Sequence, residues 1–241
     1  MNINFPLSVI VTEQEIDCTQ LSQTKKDFVI NFSTQLISSY KQKGSARQIY
    51  AIAGASGSGK SYLSILTEQI STQIDSSVKI IPISIDAFHF TNEYLLQHKL
   101  SKGTLKDVKG RFDTYDVDAL RAHLEGFKSG DQISFPLYSR KLHEPIPDAI
   151  SIPNGPAVLL VEGLWLLYQD AGWEKLRGQF ERIYFLSDDM EALRTRTIGR
   201  HMLGGRSREE AEKHYNESDD KNRTSVLETK NSADEILTWP T

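Results

Sequence analysis

The chain alternates between short runs of continuously apolar residues and longer stretches in which apolar residues recur every three or four positions. The apolar runs predict strands that are buried on both faces, at residues 49–53, 78–85, 157–161 and 182–186. The amphipathic stretches predict helices at residues 60–74, at 118–128, and from 188 or 189 to 202. Because strands that alternate with helices form crossover units, the pattern predicts one α/β domain over residues 1–241, with a parallel β-sheet covered by helices on both faces.

Another helix is predicted near the start of the chain, from residue 22 to residue 43. The apolar residues that recur there at every fourth position are Phe28, Phe32, Leu36 and Tyr40. This spacing places them on one face of a helix. Gly44 follows a basic last turn and is a typical helix terminator. Residues 1–45 are therefore interpreted as an N-terminal extension that contains a helix.

The composition limits the classes of protein to which the chain can belong. The 28 basic and 32 acidic residues give a formal net charge of −4, which disfavours an extended nucleic-acid-binding surface. No apolar run reaches the ~18 residues that a transmembrane helix needs. The single Cys18 cannot form a disulfide within the chain, and the first residues lack the basic segment of a signal peptide. We expect a cytoplasmic protein with a small-molecule substrate and without a nucleic-acid or membrane partner. The composition leaves open whether the protein forms a homodimer.

One segment matches G-x-x-x-x-G-K-[ST], the pattern of a phosphate-binding loop (P-loop), and it joins a predicted strand to a predicted helix. Its glycines allow backbone N–H groups to point at phosphate oxygens. Lys60 would bring its charge to the β- and γ-phosphates, and Ser61 would offer a hydroxyl to Mg²⁺. The segment predicts a P-loop NTPase that binds a nucleoside triphosphate; a glycine-rich turn is the alternative. The predicted nucleotide-binding residues are Gly54, Ala55, Ser56, Gly57, Ser58, Gly59, Lys60, Ser61, Tyr62 and Arg206.

A carboxylate is predicted to face the P-loop. Asp86 follows the strand predicted at residues 78–85, and the carboxyl ends of parallel strands form the edge at which α/β proteins bind ligands. A carboxylate at that edge can accept a proton from an acceptor hydroxyl, so Asp86 is the candidate general base. The alternative is that Asp86 caps a helix or forms a salt bridge in a loop.

Further segments carry a resemblance to a known superfamily. Besides the P-loop, they are Asp86-Ala87-Phe88-His89, Lys109-Gly110-Arg111-Phe112-Asp113-Thr114-Tyr115-Asp116, Phe135-Pro136-Leu137-Tyr138-Ser139-Arg140 and Val161-Glu162-Gly163-Leu164. In combination they resemble the uridine kinase, phosphoribulokinase and bacterial-type pantothenate kinase superfamily, and most closely its fructose-transport-associated subgroup. The resemblance extends from about residue 49 to at least residue 222 and implies a kinase that uses ATP and Mg²⁺.

The resemblance also implies roles for individual residues. Asp86 would be the general base and Lys60 would hold the phosphates. Ser61 and Glu162 would hold Mg²⁺, directly or through water. Asp116 occupies the place where uridine kinases hold sugar hydroxyls, and its alternative role is to cap the following helix.

A second group of residues is implied for the acceptor. The candidate acceptor-binding residues are Asp86, His89, Asp116, Tyr138, Arg140 and His143. Arg140 takes the place of a histidine that contacts pantothenate in pantothenate kinases, and this departure disfavours pantothenate. An additional arginine favours an acceptor that bears a carboxylate or a phosphate.

A lid is predicted over residues 188–212. Asp188 or Asp189 can cap its helix, and Arg196 and Arg200, four positions apart, would share one face. The segment resembles the lid of the superfamily's kinases, whose arginines fold over the triphosphate and stabilise the transferring phosphoryl group. The alternative is a solvated basic face paired with Glu209, Glu210 and Glu212. The predicted catalytic residues are thus Asp86, Lys60, Arg196 and Arg200, whereas Asn222 and Arg223 could line either the adenine side or the acceptor pocket.

Together, these patterns predict an ATP- and Mg²⁺-dependent kinase that phosphorylates the alcohol group of a sugar, a nucleoside, glycerate or a pantothenate-like acceptor. A uridine kinase or pantothenate kinase proper is the alternative within this class. A non-catalytic, ATP-binding regulator on the same fold is the alternative from another class. Such a sensor would need neither the candidate base nor the lid arginines.

Overall fold

The structure is a computed structural model that describes residues 3–11 and 13–240, so residues 1, 2, 12 and 241 of the predicted domain lie outside the described residues. The helices and strands follow in chain order: β1 (Ser8–Val11), β2 (Gln14–Asp17), α1 (Gln23–Lys43), β3 (Arg47–Ala53), α2 (Lys60–Ile74), β4 (Ile80–Ser84), α3 (Asn92–Gln97), α4 (Val117–Ser129), β5 (Ile133–Ser139), β6 (Glu144–Ile152), β7 (Ala157–Gly163), β8 (Arg182–Ser187), α5 (Met190–Leu203), α6 (Arg208–His214), α7 (Asp220–Glu228) and β9 (Glu235–Thr238).

The central sheet has five parallel strands in the order β4–β7–β3–β8–β9. Four of them lie where the apolar runs predict them, with Ile49 of β3 beside Leu159 of β7 and Ala51 beside Ile183 of β8. The predicted fold class is therefore confirmed. The sequence does not predict β9, because this short edge strand buries only Leu237 and so has no continuous apolar run.

Side chains of β3 point alternately to the two faces of the sheet, and every residue of the strand is buried. Ile49 and Ala51 belong to one core, which also contains Leu120 of α4. Tyr50 belongs to the other core, which contains Leu63 of α2 and residues of α1. Because both faces are covered by helices, the strand has no polar side and appears in the sequence as an unbroken apolar run.

The N-terminal extension contains more than the predicted helix. α1 begins and ends as expected, with Ser22 accepting a hydrogen bond from the Lys25 N–H and Gly44 at φ +70° after its last turn. Before it lies an antiparallel hairpin of β1 and β2, which the sequence analysis does not predict. Phe32 of α1 packs edge-on against Tyr184 of β8, with ring centroids 5.0 Å apart. The extension is therefore part of the domain core.

A second hairpin, β5–β6, stands outside the main sheet and was also not predicted from the sequence. Its pairing is antiparallel and shifts register between Phe135 and Leu137, at Pro136, which has no N–H to donate. Three prolines and several exposed residues hide the alternating pattern of a strand here. The hairpin carries Tyr138 and, in its turn, Arg140 and His143 toward the carboxyl edge of the main sheet.

The predicted lid consists of α5 and α6, followed by a π-helical turn at Tyr215–Asp219. Asp189 caps α5 by accepting hydrogen bonds from the N–H groups of Glu191 and Ala192, which resolves the choice between Asp188 and Asp189. Within residues 3–11 and 13–240, none of the helices combines the length and the hydrophobicity that are needed to cross a lipid bilayer.

Candidate active site

The P-loop lies between the end of β3 and the start of α2, as predicted, and its glycines are required by close contacts. Gly57 has φ +78°, and a Cβ atom there would lie 2.5 Å from the carbonyl oxygen of Leu193 in the lid. A Cβ on Gly54, at φ +152°, would lie 2.6 Å from the carbonyl oxygen of Leu186. Side chains at these positions would displace backbone, so the loop is shaped by glycine and packs directly against α5.

Lys60 is buried at the start of α2, and its Nζ donates a hydrogen bond to the carbonyl oxygen of Ala55, 2.9 Å away. Burial lowers the pKa of Lys60 to about 8, although the carboxylate of Glu162 opposes this effect. Lys60 therefore keeps its charge at neutral pH. Its ammonium group is held inside the loop that would surround a phosphate.

Ser61 and Glu162 form the pair that could hold a metal ion. The Ser61 hydroxyl donates to Oε1 of Glu162, 2.8 Å away, and Glu162 is buried at the end of β7. Burial raises the pKa of Glu162, and the negative charge of Asp86 adds to the effect, whereas Lys60 opposes it. A hydroxyl and a carboxylate are hard oxygen ligands, and a divalent cation would stabilise the ionised form of Glu162. This donor set fits Mg²⁺.

The P-loop also contains a buried polar atom that has no partner in the described part of the chain. The Oγ atom of Ser58 makes no hydrogen bond there. Buried hydroxyls are normally paired, so this atom marks a place where a ligand would supply a partner. The observation fits a phosphate group within the loop.

Trp239, just after β9, reaches the P-loop from the opposite end of the chain. Its Nε1–H donates to the carbonyl oxygen of Ser58, 2.9 Å away, and its ring lies 5.0 Å from that of Phe28 in α1. Tyr62 packs on the same side, where its hydroxyl donates to Sγ of Cys18, 3.2 Å away. The structure therefore does not place Tyr62 with the other predicted nucleotide-binding residues.

Asp86 lies in a short 3₁₀ helix, Ile85–Phe88, directly after β4. Ser84 caps this helix, so Asp86 itself is not the cap. Oδ1 of Asp86 accepts a hydrogen bond of 3.3 Å from the hydroxyl of Tyr115. The carboxylate is thus held at the carboxyl edge of the sheet, as the sequence predicts.

Several positive groups surround Asp86. Burial by itself would raise the pKa of Asp86, but the neighbouring cations outweigh it and hold the pKa below its ordinary value. His89 contributes in its protonated form, and the cations that persist at neutral pH are Arg140, Arg200 and Lys60. Asp86 is therefore a carboxylate at neutral pH and is able to accept a proton.

His89 is neutral and buried beside Asp86. Burial lowers the pKa of His89 to about 4, against the opposing effect of Asp86. Its Nδ1 lies 2.9 Å from the carbonyl oxygen of Thr114, which can only accept, so the proton is on Nδ1 and Nε2 is an acceptor. The imidazole stacks on Tyr115, with ring centroids 3.8 Å apart. The sequence analysis does not assign a role to Tyr115 or Thr114, although both belong to the segment 109–116. Neither side chain is charged, whereas their neighbours Asp113 and Asp116 are.

Two buried tryptophans fix the segment 109–116 against the site. Nε1 of Trp165 donates to the carbonyl oxygen of Gly110, and Nε1 of Trp173 donates to that of Phe112, both at 3.0 Å. Asp116, at the end of the segment, accepts a hydrogen bond of 2.8 Å from the Ala119 N–H and caps α4. The structure therefore shows the capping role for Asp116, and its contact with an acceptor hydroxyl stays a prediction.

The two predicted lid arginines have different environments. Arg196 is exposed and pairs with Asp188, with 2.5 Å between Nη2 and Oδ2. Arg200 is half-buried, and this partial desolvation lowers its pKa. It lies close enough to Asp86, Asp219 and Arg140 to interact with their charges. Among the two, only Arg200 is brought to the candidate active site. Arg206, in the following loop, donates to Nδ1 of His201, 2.8 Å away.

A cavity of about 790 Å³ extends from the lid to the β5–β6 turn. The predicted residues Arg140, His143, Arg200 and Arg206 line it. Tyr138 lies between this cavity and His89, with 5.7 Å between the two ring centroids.

The two residues left open by the sequence analysis are now placed on α7. Asn222 approaches Gly110, and a Cβ atom on this glycine would lie 3.9 Å from the Asn222 side-chain nitrogen. Arg223 pairs with Asp220, with 2.5 Å between Nη2 and Oδ1. Asn222 therefore lies beside the 109–116 segment, on the acceptor side.

The site has a P-loop on one side of the sheet edge and an ionised carboxylate on the other. This is the arrangement of a P-loop kinase. Residues 49–238 match the phosphoribulokinase / uridine kinase family, and the chain belongs to this family. The uncharacterized protein YggC of Escherichia coli K12 is 32% identical over 191 residues, which are 79% of this chain and 77% of YggC. A pantothenate kinase of Levilactobacillus brevis is 34% identical over 117 residues, or 48% of this chain, and the match spans only 36% of that enzyme.

Solved structures of kinases share the fold. A candidate fructose transport system kinase from Silicibacter sp. TM1040 superposes with a TM-score of 0.77 at 24% identity, covering 88% of this chain and 98% of the other. A D-glycerate 3-kinase from Cryptococcus neoformans gives a TM-score of 0.57 at 15% identity, covering 87% and 88%. At these identities the likeness establishes the fold.

Proposed function

We propose that this kinase transfers the γ-phosphate of ATP, bound with Mg²⁺, to the alcohol group of a small acceptor. One observation carries the proposal: Asp86 is an ionised carboxylate at the sheet edge, within the field of Lys60 and Arg200. Lys60 belongs to the P-loop, so the carboxylate is available where the γ-phosphate would meet an acceptor hydroxyl. A regulator that only senses ATP would not need a base there.

In the proposed step, Asp86 accepts the proton of the acceptor hydroxyl while the hydroxyl oxygen forms a bond to the γ-phosphorus. The bond from the γ-phosphorus to the bridging oxygen breaks, and its electron pair leaves with ADP. Lys60 and Arg200 stabilise the negative charge on the phosphoryl oxygens. Ser61 and Glu162 would hold Mg²⁺, which neutralises charge on the β- and γ-phosphates when bound. Asp86 then returns its proton to solvent.

A coupled assay of ADP release tests this function. We expect ADP formation from Mg-ATP to depend on one acceptor class in a panel of uridine, D-fructose, D-glycerate and pantothenate. The Lys60→Ala variant should lose phosphoryl transfer, and Lys102→Ala, at an exposed position, is the matched control. The regulator would instead be supported if the wild-type protein bound ATP without transfer to any acceptor and if Asp86→Asn left that ATP binding unaltered.

Pantothenate is included in the panel for a specific reason. The relative from Levilactobacillus brevis is a pantothenate kinase with 34% identity over its matched part. Arg140, however, replaces the histidine expected for that substrate and lines the cavity on the acceptor side. A kcat/KM for pantothenate above that of all other acceptors would establish the pantothenate alternative.

A further inference from the structure

Lys106 and Lys109 line the cavity, and their two positive charges converge on one side-chain oxygen. Both Nζ atoms contact the same side-chain oxygen, Oδ1 of Asn92, at 3.0 Å for Lys109. Lys109 also donates to the carbonyl oxygen of His143, 2.7 Å away. All these partners are neutral. In residues 3–11 and 13–240, neither ammonium group forms a salt bridge with a carboxylate.

The acidic residues that line the cavity are engaged elsewhere. Glu13 accepts hydrogen bonds of 2.9 Å from the Ser139 hydroxyl and from the Lys141 N–H. Asp107 accepts from the N–H and the hydroxyl of Thr104, at 2.7 and 2.9 Å. These contacts direct Glu13 to the β5–β6 turn and Asp107 to its own loop, and neither carboxylate forms a salt bridge with the lysine pair.

The electrostatic field at this place is positive. Burial lowers the pKa of Lys109 to about 8, and repulsion by Lys106 adds to the effect, although Glu144 opposes it. Besides burial, four cations lower the pKa of His143, namely Lys106, Lys109, Arg206 and Arg140. Glu144 accepts a hydrogen bond of 2.6 Å from the Asn92 N–H and, with Asp86, offsets part of the positive charge at Lys109. The cations outnumber these carboxylates and repel one another, and an anion bound between them would relieve that repulsion.

The lysine pair lies on the acceptor side of Asp86. Nζ of Lys109 is 5.3 Å from the centroid of the Tyr138 ring, and the same ring is 5.7 Å from that of His89. His89 directly follows the short helix that carries Asp86. The residues lining the cavity come from the β1–β2 hairpin, the lid, the β5–β6 turn and the loop around Lys106, and none belongs to the P-loop.

We propose that Lys106 and Lys109 form a phosphate subsite, and that the acceptor alcohol carries a phosphate monoester remote from the hydroxyl that reacts. The proposal rests on the kinase function proposed above. A phosphate monoester brings nearly two negative charges and three acceptor oxygens, which match two ammonium groups and the neighbouring Arg140. A carboxylate would leave one of the two ammonium charges uncompensated. The products would be ADP and an acceptor with two phosphate groups.

Matched pairs of acceptors test the substrate class. D-Fructose would be compared with D-fructose 6-phosphate, D-ribose with D-ribose 5-phosphate, and glycerol with both glycerol 3-phosphate and D-glycerate. We expect phosphorylated members to have the higher kcat/KM. Lys106→Gln and Lys109→Gln should each raise the KM for such an acceptor about 10- to 100-fold, because each removes one charged hydrogen bond. The Kd for ATP and the kcat should change less than threefold, and Lys102→Gln should change nothing.

Direct binding separates the subsite from the reaction. With ADP saturating the P-loop, calorimetry with inorganic phosphate should show binding to the wild-type protein and its loss in the Lys106→Gln/Lys109→Gln double variant. A melting temperature near that of the wild type would establish that the variant is folded. If no acceptor is turned over but phosphate binding disappears in the double variant, the kinase proposal fails and the subsite stands.

Two results would overturn the subsite. One is phosphate binding that is equal in the wild-type protein and the double variant. The other is a preference for D-glycerate over glycerol 3-phosphate, with KM values that neither glutamine variant changes. In both cases the lysines would only hold Asn92 and the surrounding loop.

Discussion

Asp86→Asn separates the chemical role of this residue from a structural one. The substitution removes the proton acceptor and one negative charge but keeps the size of the side chain. The amide oxygen of asparagine can still accept the 3.3 Å hydrogen bond from Tyr115. Because Ser84 caps the short helix, the backbone there does not depend on the carboxylate.

The expected loss follows from the environment of the carboxylate. The pKa of Asp86 lies below its ordinary value, so the residue is fully ionised at neutral pH and the substitution removes an active base. A positioned general base contributes about 10²–10⁴-fold, or roughly 3–5 kcal/mol, to the rate. Phosphoryl transfer through a loose transition state favours the lower end of this range. ATP binding should be unchanged or tighter, because a negative charge near the γ-phosphate is lost.

Single-turnover phosphoryl transfer in a rapid-quench instrument, with the best acceptor of the panel, measures the chemical step. Calorimetric ATP titration measures the affinity, and Asp118→Asn, at an exposed position of α4, is the matched control. Near-wild-type transfer by Asp86→Asn would refute the assignment of the base. Loss of ATP binding would show that Asp86 acts instead in metal coordination.

Three further predictions concern the rest of the site. Arg200→Ala should lower kcat by about 10²-fold or more, whereas Arg196→Ala should change it less than threefold, because Arg196 forms an exposed pair with Asp188. ATP affinity should be constant below pH 8 and fall about tenfold per pH unit above it, because the pKa of Lys60 is about 8 and only the protonated form attracts phosphate. Asp116→Asn should keep the α4 cap, whereas Asp116→Ala should lower the melting temperature by a few degrees.

A direct measurement checks each of these three predictions. Steady-state kinetics of the two arginine variants would contradict the reasoning if both losses were equal. Calorimetry in buffers of different ionisation enthalpy should detect proton uptake on ATP binding near pH 8, and a flat pH profile would contradict the role of Lys60. A large rise in acceptor KM for Asp116→Asn at an unchanged melting temperature would establish contact with the substrate.

The parts of the site that follow local chemical rules could be predicted from the sequence. The P-loop needs glycine, lysine and serine at fixed spacings, and Asp86 comes directly after a strand that is apolar because both its faces are covered. By contrast, Trp165 and Gly110 are 55 positions apart, and no local pattern links an indole to a backbone carbonyl. The same is true of Trp173 and Phe112, which are 61 positions apart.

Spacing along a helix predicts which residues share a face but not their partners. Arg196 and Arg200 are four positions apart, yet Asp188 holds Arg196 outside the site whereas Arg200 lies within it, half-buried. Tyr62 follows the P-loop motif immediately, but each residue of an α-helix turns the side-chain direction by about 100°, so Tyr62 points to Cys18 instead. The lysine pair was similarly hidden, since its meeting point on Asn92 exists only in the folded chain.

The contact of Trp239 with the P-loop gives the protein a built-in optical reporter. Trp165 and Trp173 are each 1% exposed, and their N–H groups are bonded to the 109–116 segment and not to the P-loop, so their emission should respond less to a nucleotide. The indole of Trp239 is partly exposed, and its N–H is bonded to the loop backbone beside the unpaired Ser58 hydroxyl. A phosphate that draws the loop around itself changes the polarity and the hydrogen bonding of this indole. Nucleotide occupancy can therefore be followed by intrinsic fluorescence, without a label and without any knowledge of the acceptor.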